Sequence, residues 1–190
     1  TAVVVHGLQV ARQNDVALVP GVLNRGVDWL KAYQAEQLRR LNNCRENGEV
    51  IDEKRPHKQY ADNLDALVHM VLTDADAVDD AMRTHLYNDR THLAVYGLAM
   101  LGISLHNQHQ ADQLAMVMRN LSQYLVEDDE NQTAYLNLPA GQWWYWYGSE
   151  YEAHPFDLVV GGMFRFKHQR YAVVFAPAFQ FHHAVGLALG

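Results

Sequence analysis

Eleven histidines in 190 residues give this chain an ample supply of groups that bind metals and transfer protons. His106 and His109 stand three apart with Asp112 three further on, and His182 and His183 are adjacent. A structural zinc site needs Cys, His or carboxylate ligands converging at paired spacings. Neither histidine pair has such partners beside it, and Asp112 falls at an expected helix start, where carboxylates commonly cap. No metal ligand and no cofactor-binding residue is therefore assigned. His6, His69 and His92 fall on or near apolar helical segments and read as hydrogen-bonded core histidines. For nucleophilic chemistry the nearest candidates are Ser149 beside Glu150 and Cys44 beside Arg45. Neither sits in a Gly-x-Ser-x-Gly turn, and no histidine is placed by sequence to activate either one. No catalytic residue is assigned, and the chain reads as a non-enzyme.

Composition narrows the partners. The formal charge is −7, and the 15 Lys and Arg are scattered rather than clustered, which argues against phosphate neutralisation and hence against nucleic acid. The same scatter disfavours a membrane surface. The longest apolar stretch, Leu93 to Leu105, is interrupted by Gly97, Gly102 and Ser104 and is too short to span a bilayer. With 49% hydrophobic residues the chain has ample material for a core. A single cysteine, Cys44, forbids an internal disulfide. The opening Thr1-Ala2-Val3-Val4-Val5 lacks a methionine and lies already inside an apolar segment, so it reads as a piece of a longer polypeptide.

Hydrophobic spacing favours helices over strands across the first 165 residues, and the helices alternate in character. Residues 2–12 are apolar nearly all round, as expected of a helix covered on most sides. After Pro20-Gly21, residues 22–41 place Val22, Leu23, Gly26, Val27, Leu30, Tyr33 and Leu38 on one face and leave Arg25, Asp28, Lys31 and Arg39 for solvent. Residues 60–72 are again apolar, and an amphipathic stretch with Val78, Met82 and Leu86 follows. Residues 90–105 are apolar almost throughout, and 109–125 put Leu114, Val117, Met118, Leu121 and Leu125 on one face. Three inner–outer helical hairpins account for this pattern. Residues 43–59 are polar and turn-rich and read as a surface connection. From Phe166 onward the chain has neither helical caps nor clean alternation. The division is a helical-hairpin part, 1–165, and an apolar tail without an assigned element, 166–190.

A faint internal repeat accompanies the hairpins: Val5-His6-Gly7-Leu8 and Val95-Tyr96-Gly97-Leu98 occupy equivalent places in two inner helices, with small residues where a neighbour could approach closely. Repeated helix pairs that cannot bury their own faces stack into a solenoid or close into a ring. A closed α/α toroid needs roughly a dozen helices and about seven fit here, so the expected fold is all-α, a partial α/α toroid of inner and outer helix pairs with an irregular C-terminal tail. Terpene cyclases share that architecture and use aspartate-rich motifs to ionise or protonate isoprenoids. Asp74-Ala75-Asp76-Ala77-Val78-Asp79-Asp80 and Glu127-Asp128-Asp129-Glu130 are the acidic runs here, and neither has that family's spacing. Both are expected at helix ends, where carboxylates are solvated or interact with the helix dipole.

The run Trp143-Trp144-Tyr145-Trp146-Tyr147-Gly148-Ser149-Glu150-Tyr151-Glu152-Ala153 holds three of the four tryptophans. Placed between two helical segments, Trp143, Trp144, Tyr145, Trp146 and Tyr147 form a structural aromatic corner that reads first as a packed plug and second as a ligand platform. Tryptophans, then Gly-Ser, then Glu-x-x-Ala opening an apolar helix resemble the C-terminal half of the thioester-containing, complement-like helical domain of bacterial alpha-2-macroglobulins. The likeness runs from residue 1 to about residue 164. It is carried by Val4-Val5-His6-Gly7-Leu8, Gly26-Val27-Asp28-Trp29-Leu30, Leu93-Ala94-Val95-Tyr96-Gly97-Leu98-Ala99 and Trp143 through Ala153, in that order. Beyond Phe164 the chain departs from the family, where further helix pairs would follow.

The resemblance implies a fragment of a broad-spectrum endopeptidase inhibitor, a protease trap of bacterial defence that is extracytoplasmic, periplasmic and tethered through its parent protein. In such proteins an attacking protease cleaves a bait region, and the rearrangement exposes a buried thioester that captures the protease covalently. The implied partners are target proteases and other domains of the same polypeptide, with no direct membrane insertion by this fragment. These residues would help shield a thioester that lies upstream of them. Cys44-Arg45-Glu46-Asn47 looks superficially like the family's Cys-x-Glu-Gln motif. Asn47, however, is one methylene short of glutamine and the motif is misplaced, so Cys44 reads as a loop cysteine. Two other classes stay open: an α/α-toroid enzyme, terpene cyclase-like or carbohydrate-active, with the aromatic corner lining a pocket, or a helical-repeat protein-interaction module.

Overall fold

Two apolar helices with little polar surface make the centre of the structure, and everything else is arranged to cover them. A computed structural model describes residues 1–45, 47–128 and 133–136 of the chain. Among these are six α-helices: α1 (Ala2–Gln13), α2 (Val22–Leu41), α3 (Asn63–Thr73), α4 (Asp80–Asn88), α5 (Val95–Asn107) and α6 (Ala111–Ser122). They are followed by a two-stranded antiparallel hairpin, β1 (Leu125–Asp128) with β2 (Thr133–Leu136), in which Leu125 pairs with Leu136. Nine of the eleven residues of α3 are buried, and α5 is buried from Val95 to Leu105 apart from Tyr96 and Ile103. α3 packs against α1, α2, α4 and α5, and α5 carries α6 on its other side. Hairpin partners α1–α2, α3–α4 and α5–α6 touch each other, and α1, α3 and α5 touch in sequence. The described chain is therefore mostly helical and built from stacked helical hairpins.

Local sequence explains most of the helix limits. Asp62 caps α3 by accepting from the amides of Leu64 and Asp65, and the Asp65 side chain accepts from the Asp62 amide, which closes a capping box. Asp79 caps α4 in the same way through Ala81 and Met82. Gly21 precedes α2 with φ at +75°, a conformation that glycine adopts without steric cost. The buried face of α2 is Leu23, Val27, Leu30, Gln34, Gln37 and Leu41, a strict three- and four-residue alternation. Arg25, Asp28, Lys31 and Arg39 are on its solvent side, as their spacing required.

Four expectations from the sequence need correction. α1 is not covered on most sides: it buries Ala2, Val5 and Gln9, while Val3 and Val4 are 62% and 65% exposed. The cause is position, since α1 has α2 and α3 on one flank and no described helix on the other. The expected helix over 90–105 is divided. Arg90–His92 form a short 3-10 turn, Leu93 and Ala94 are extended, and α5 begins at Val95. Here Asn63 of α3 supplies the acceptor for the Ala94 amide at 2.9 Å, in place of a preceding helical turn. The helix expected over 109–125 ends at Ser122, and Leu125 enters a strand instead. A short apolar run satisfies either period, and pairing with β2 decides between them. With α6 ending there, Glu127 and Asp128 belong to β1 rather than to a helix end. Val78, expected on the apolar face of a helix, precedes the cap of α4 and is exposed. The aromatic corner at 143–147, the rest of the expected helical part to residue 165 and the tail at 166–190 lie outside the described residues.

Candidate functional site

Beyond the C-terminal end of α3 the chain turns through Asp74, Ala75 and Asp76, and this turn borders two polar clefts. The first, about 370 Å³, is lined by Gln13 of α1, by Thr73, Asp74 and Asp76, and by His106, Asn107 and His109 at the end of α5. The second, about 380 Å³, lies between α1 and α2 and includes Arg12, Asp28 and Lys31. The two meet at Asp74 and Asp76. Asn107 Nδ2 donates to Asp74 Oδ1 at 3.0 Å, whereas His6 Nδ1 stands 4.0 Å from Asp74 Oδ2. That separation gives an electrostatic contact without a hydrogen bond. Burial raises the Asp74 carboxyl above its ordinary range against the opposing influence of His6 and Asn107, and burial lowers His6 against Asp74. Both shifts favour the neutral forms. Thr73, the one hydroxyl in the first cleft, donates to the His69 carbonyl at 2.8 Å and is thereby occupied.

His69 is the most buried histidine described, with no exposed surface. Gln108 fixes its state. The Gln108 Oε1 accepts from Arg83 Nη1 at 2.9 Å, so its amide nitrogen faces Thr73 Oγ1 at 3.1 Å and His69 Nε2 at 3.0 Å. His69 Nε2 is then the acceptor, and the proton of the neutral ring is on Nδ1. Burial brings the His69 pKa down to about 4, with Asp79 acting in the opposite sense. This is a core histidine that ties α3 to the end of α5, not a ligand. His6 is half-buried. His92, expected in the core, is exposed and stacks on Tyr60 with ring centroids 3.8 Å apart, because the 3-10 turn carries it out of the helix row.

At the opposite end of α3 sits a buried charge cluster. Lys58 Nζ lies 2.5 Å from Asp65 Oδ2 and 2.7 Å from Asp62 Oδ2, and the Asp65 side chain has no exposed surface. On Lys58, burial alone would lower the pKa, but Asp65 and Asp62 together outweigh it and hold the ammonium above its ordinary range. The connection that delivers Lys58 is ordered by Asn43, whose side chain donates to the Asp52 carbonyl and accepts from the Asp52 amide, both at 2.9 Å. Gln9 of α1 is equally buried and donates to the Val71 carbonyl at 2.8 Å, within the last turn of α3. Carbonyls in that turn lack intrahelical donors, so Gln9 acts as a side-chain cap across 62 residues of sequence.

The residues singled out from the sequence disperse. His106 and His109 are both exposed, with Asp112 in the first turn of α6. Among the described residues no group of three or more His, Cys, Asp or Glu is placed to hold a metal ion. The acidic run at 74–80 is divided among helix-end tasks: Asp74 ends α3, Asp76 adopts φ of +55° in the turn, Asp79 caps α4 and Asp80 pairs with Arg83. Cys44 lies in the connection after α2, bridged to Val50, and the Asn47 side chain accepts from the Glu49 amide at 3.1 Å within the same turn. Ser149, Glu150, His182 and His183 lie outside the described residues, as do Asp129 and Glu130. Lys58, Asp65, Gln9, Asn43 and Gln108 were not legible as a set. Only the Asp62-x-x-Asp65 capping pattern gave a signal. No protein-family model, no curated protein and no solved structure matches this chain.

Proposed function

We propose that this chain is part of the helical domain of an alpha-2-macroglobulin-like endopeptidase inhibitor, where stacked inner and outer helices form a section of an α/α toroid. The observation that supports this reading is the order of its motifs, Val4–Leu8, Gly26–Leu30 and Leu93–Ala99, carried on successively stacked hairpins α1–α2 and α5–α6 with α3–α4 between them. On this reading the chain shields rather than reacts. Its apolar helices and their charged fastenings keep water from a reactive bond elsewhere in the parent protein, and Trp143 to Tyr147 help fix the curvature of the ring. The clefts at Asp74 are polar and open, a poor match for the enclosed apolar pockets that hold small substrates.

The test is made on the full-length polypeptide that carries these residues, mixed with a trypsin-like protease in excess inhibitor. Cleavage is followed on a large protein and on a small chromogenic peptide. A steric trap blocks the first and spares the second. Equal cleavage of both substrates, at the rate of free protease, would overturn the proposal.

A further inference from the structure

The motif Val-x-Gly-Leu occurs at Val5–Leu8 in α1 and at Val95–Leu98 in α5, and its two copies have opposite surroundings. In α5 the glycine is buried, and a Cβ at Gly97 would collide with the Asn63 side chain of α3. Asn63 Oδ1 also accepts the Ala94 amide at 2.9 Å, so one asparagine both fills the notch and caps the helix. Leu93, one turn earlier, is 6% exposed, and Met100 and Leu101, one turn later, are buried. In α1 the corresponding residues are open. Nothing lies within 4 Å of where a Cβ of Gly7 would stand, Val3 is 62% exposed, and Val10 and Ala11 are only partly covered. By contrast, Val5 and Gln9 of α1 are as buried as their counterparts Val95 and Ala99. The two helices bury the same inner side. Only α5 has a neighbour on its glycine side.

The Val4 amide, counterpart of the Ala94 amide, is in the first turn of α1, where amides have no intrahelical acceptor, and Thr1 makes no side-chain cap. We propose that the outer face of α1, centred on Gly7 and bounded by Val3, Val4, Val10 and Ala11, is the docking seat for one further α-helix from outside residues 1–190, built as α3 is. That helix is apolar along one face and carries an asparagine in its first turn. Its side-chain amide sits on Gly7 and accepts the Val4 amide. The seat continues the row formed by α5, α3 and α1, so the new contact repeats the established α3–α5 contact one step along. A second copy of this chain does not supply such a helix, because its own Asn63-bearing helix is enclosed by α1, α2, α4 and α5. The inference rests on the internal repeat and holds whether or not the parent protein traps proteases.

The probe is a labelled synthetic peptide with the sequence Tyr60–Ala75, titrated into the 190-residue protein and followed by fluorescence anisotropy. Saturable binding is expected. Gly7→Leu in the protein weakens it about tenfold or more by overpacking the notch, and Asn63→Leu in the peptide weakens it comparably. The open space at Gly7 leaves the fold of the Gly7→Leu protein intact, which circular dichroism checks. Absence of saturable binding overturns the proposal. So does binding indifferent to Gly7→Leu, which would mean that the peptide displaces α3 from its own site. Self-association of the protein that Gly7→Leu abolishes, read by sedimentation velocity, would overturn it in favour of a second copy as the occupant.

Discussion

Alanine at Gly7 and alanine at Gly97 are the same chemical change in the same sequence motif, and the structure gives them opposite signs. In an exposed helix interior, Gly→Ala stabilises by about 0.5–1 kcal/mol because it reduces the freedom of the unfolded chain. Gly7 is in that situation, with no atom within 4 Å of the added methyl. Gly97 gains the same propensity, but its new Cβ would overlap Asn63 Oδ1 and stand 3.1 Å from Asn63 Cγ. Overpacking of this kind costs about 1–3 kcal/mol. Moving Asn63 aside also strips the Ala94 amide of its acceptor, at about 1 kcal/mol. The net for Gly97→Ala is a destabilisation of about 1–3 kcal/mol, so the two variants separate by about 2–4 kcal/mol. Urea unfolding followed by far-ultraviolet circular dichroism resolves that difference. In a thermal melt, each kcal/mol is worth about 2–4 °C at this size. Adding Asn63→Ala to Gly97→Ala should cost less than the sum of the single changes, because the clash and the cap share one side chain. Gly97→Ala as stable as the parent, or Gly7→Ala less stable, would refute the assignment of a filled notch in α5 and an open one in α1.

Lys58→Met should destabilise by about 3 kcal/mol at pH 7, measured by urea unfolding, because it leaves the Asp65 carboxylate buried without its cation. The deficit should shrink towards pH 4 as Asp65, already raised by burial, takes up a proton. His69 makes stability depend on pH in the opposite direction. Its folded pKa of about 4 lies below the model value of 6.5, so its contribution is complete above pH 6.5 and is lost as pH falls from 6.5 to 4. The loss is about 3 kcal/mol, and unfolding midpoints of His69→Gln should flatten across that window. Asp79→Ala should cost about 1 kcal/mol through loss of one helix cap, read from the urea midpoint. Asp62→Ala should cost more than Asp79→Ala in the same titration, since Asp62 both caps α3 and pairs with Lys58.

The sequence located features whose causes are local. The one-sided spacing of α2 marked its solvent face through Arg25, Asp28, Lys31 and Arg39, because a helix fixes the direction of each side chain from its own period. The acidic run at 74–80 belongs to helix ends, and Asp79 does cap, because a cap acts within three residues. What it left open depends on residues far apart in the chain. Gln34 and Gln37 occupy apolar-face positions of α2, and Gln9 does so in α1, none of which composition marks as buried. The helix over 90–105 begins late because Asn63, 31 residues earlier, supplies its first acceptor.

From the sequence alone came helical hairpins, their solvent faces and their caps, since each is settled by dihedral preference and by partners within a turn or two. Tertiary structure alone decided which apolar faces are covered, which buried polar atoms meet and where the charge cluster lies. Gly7 and Gly97 stand in one motif and differ only in whether a helix stands beside them. Burial belongs to the neighbour as much as to the residue, and a neighbour is brought into place by the fold of the whole chain.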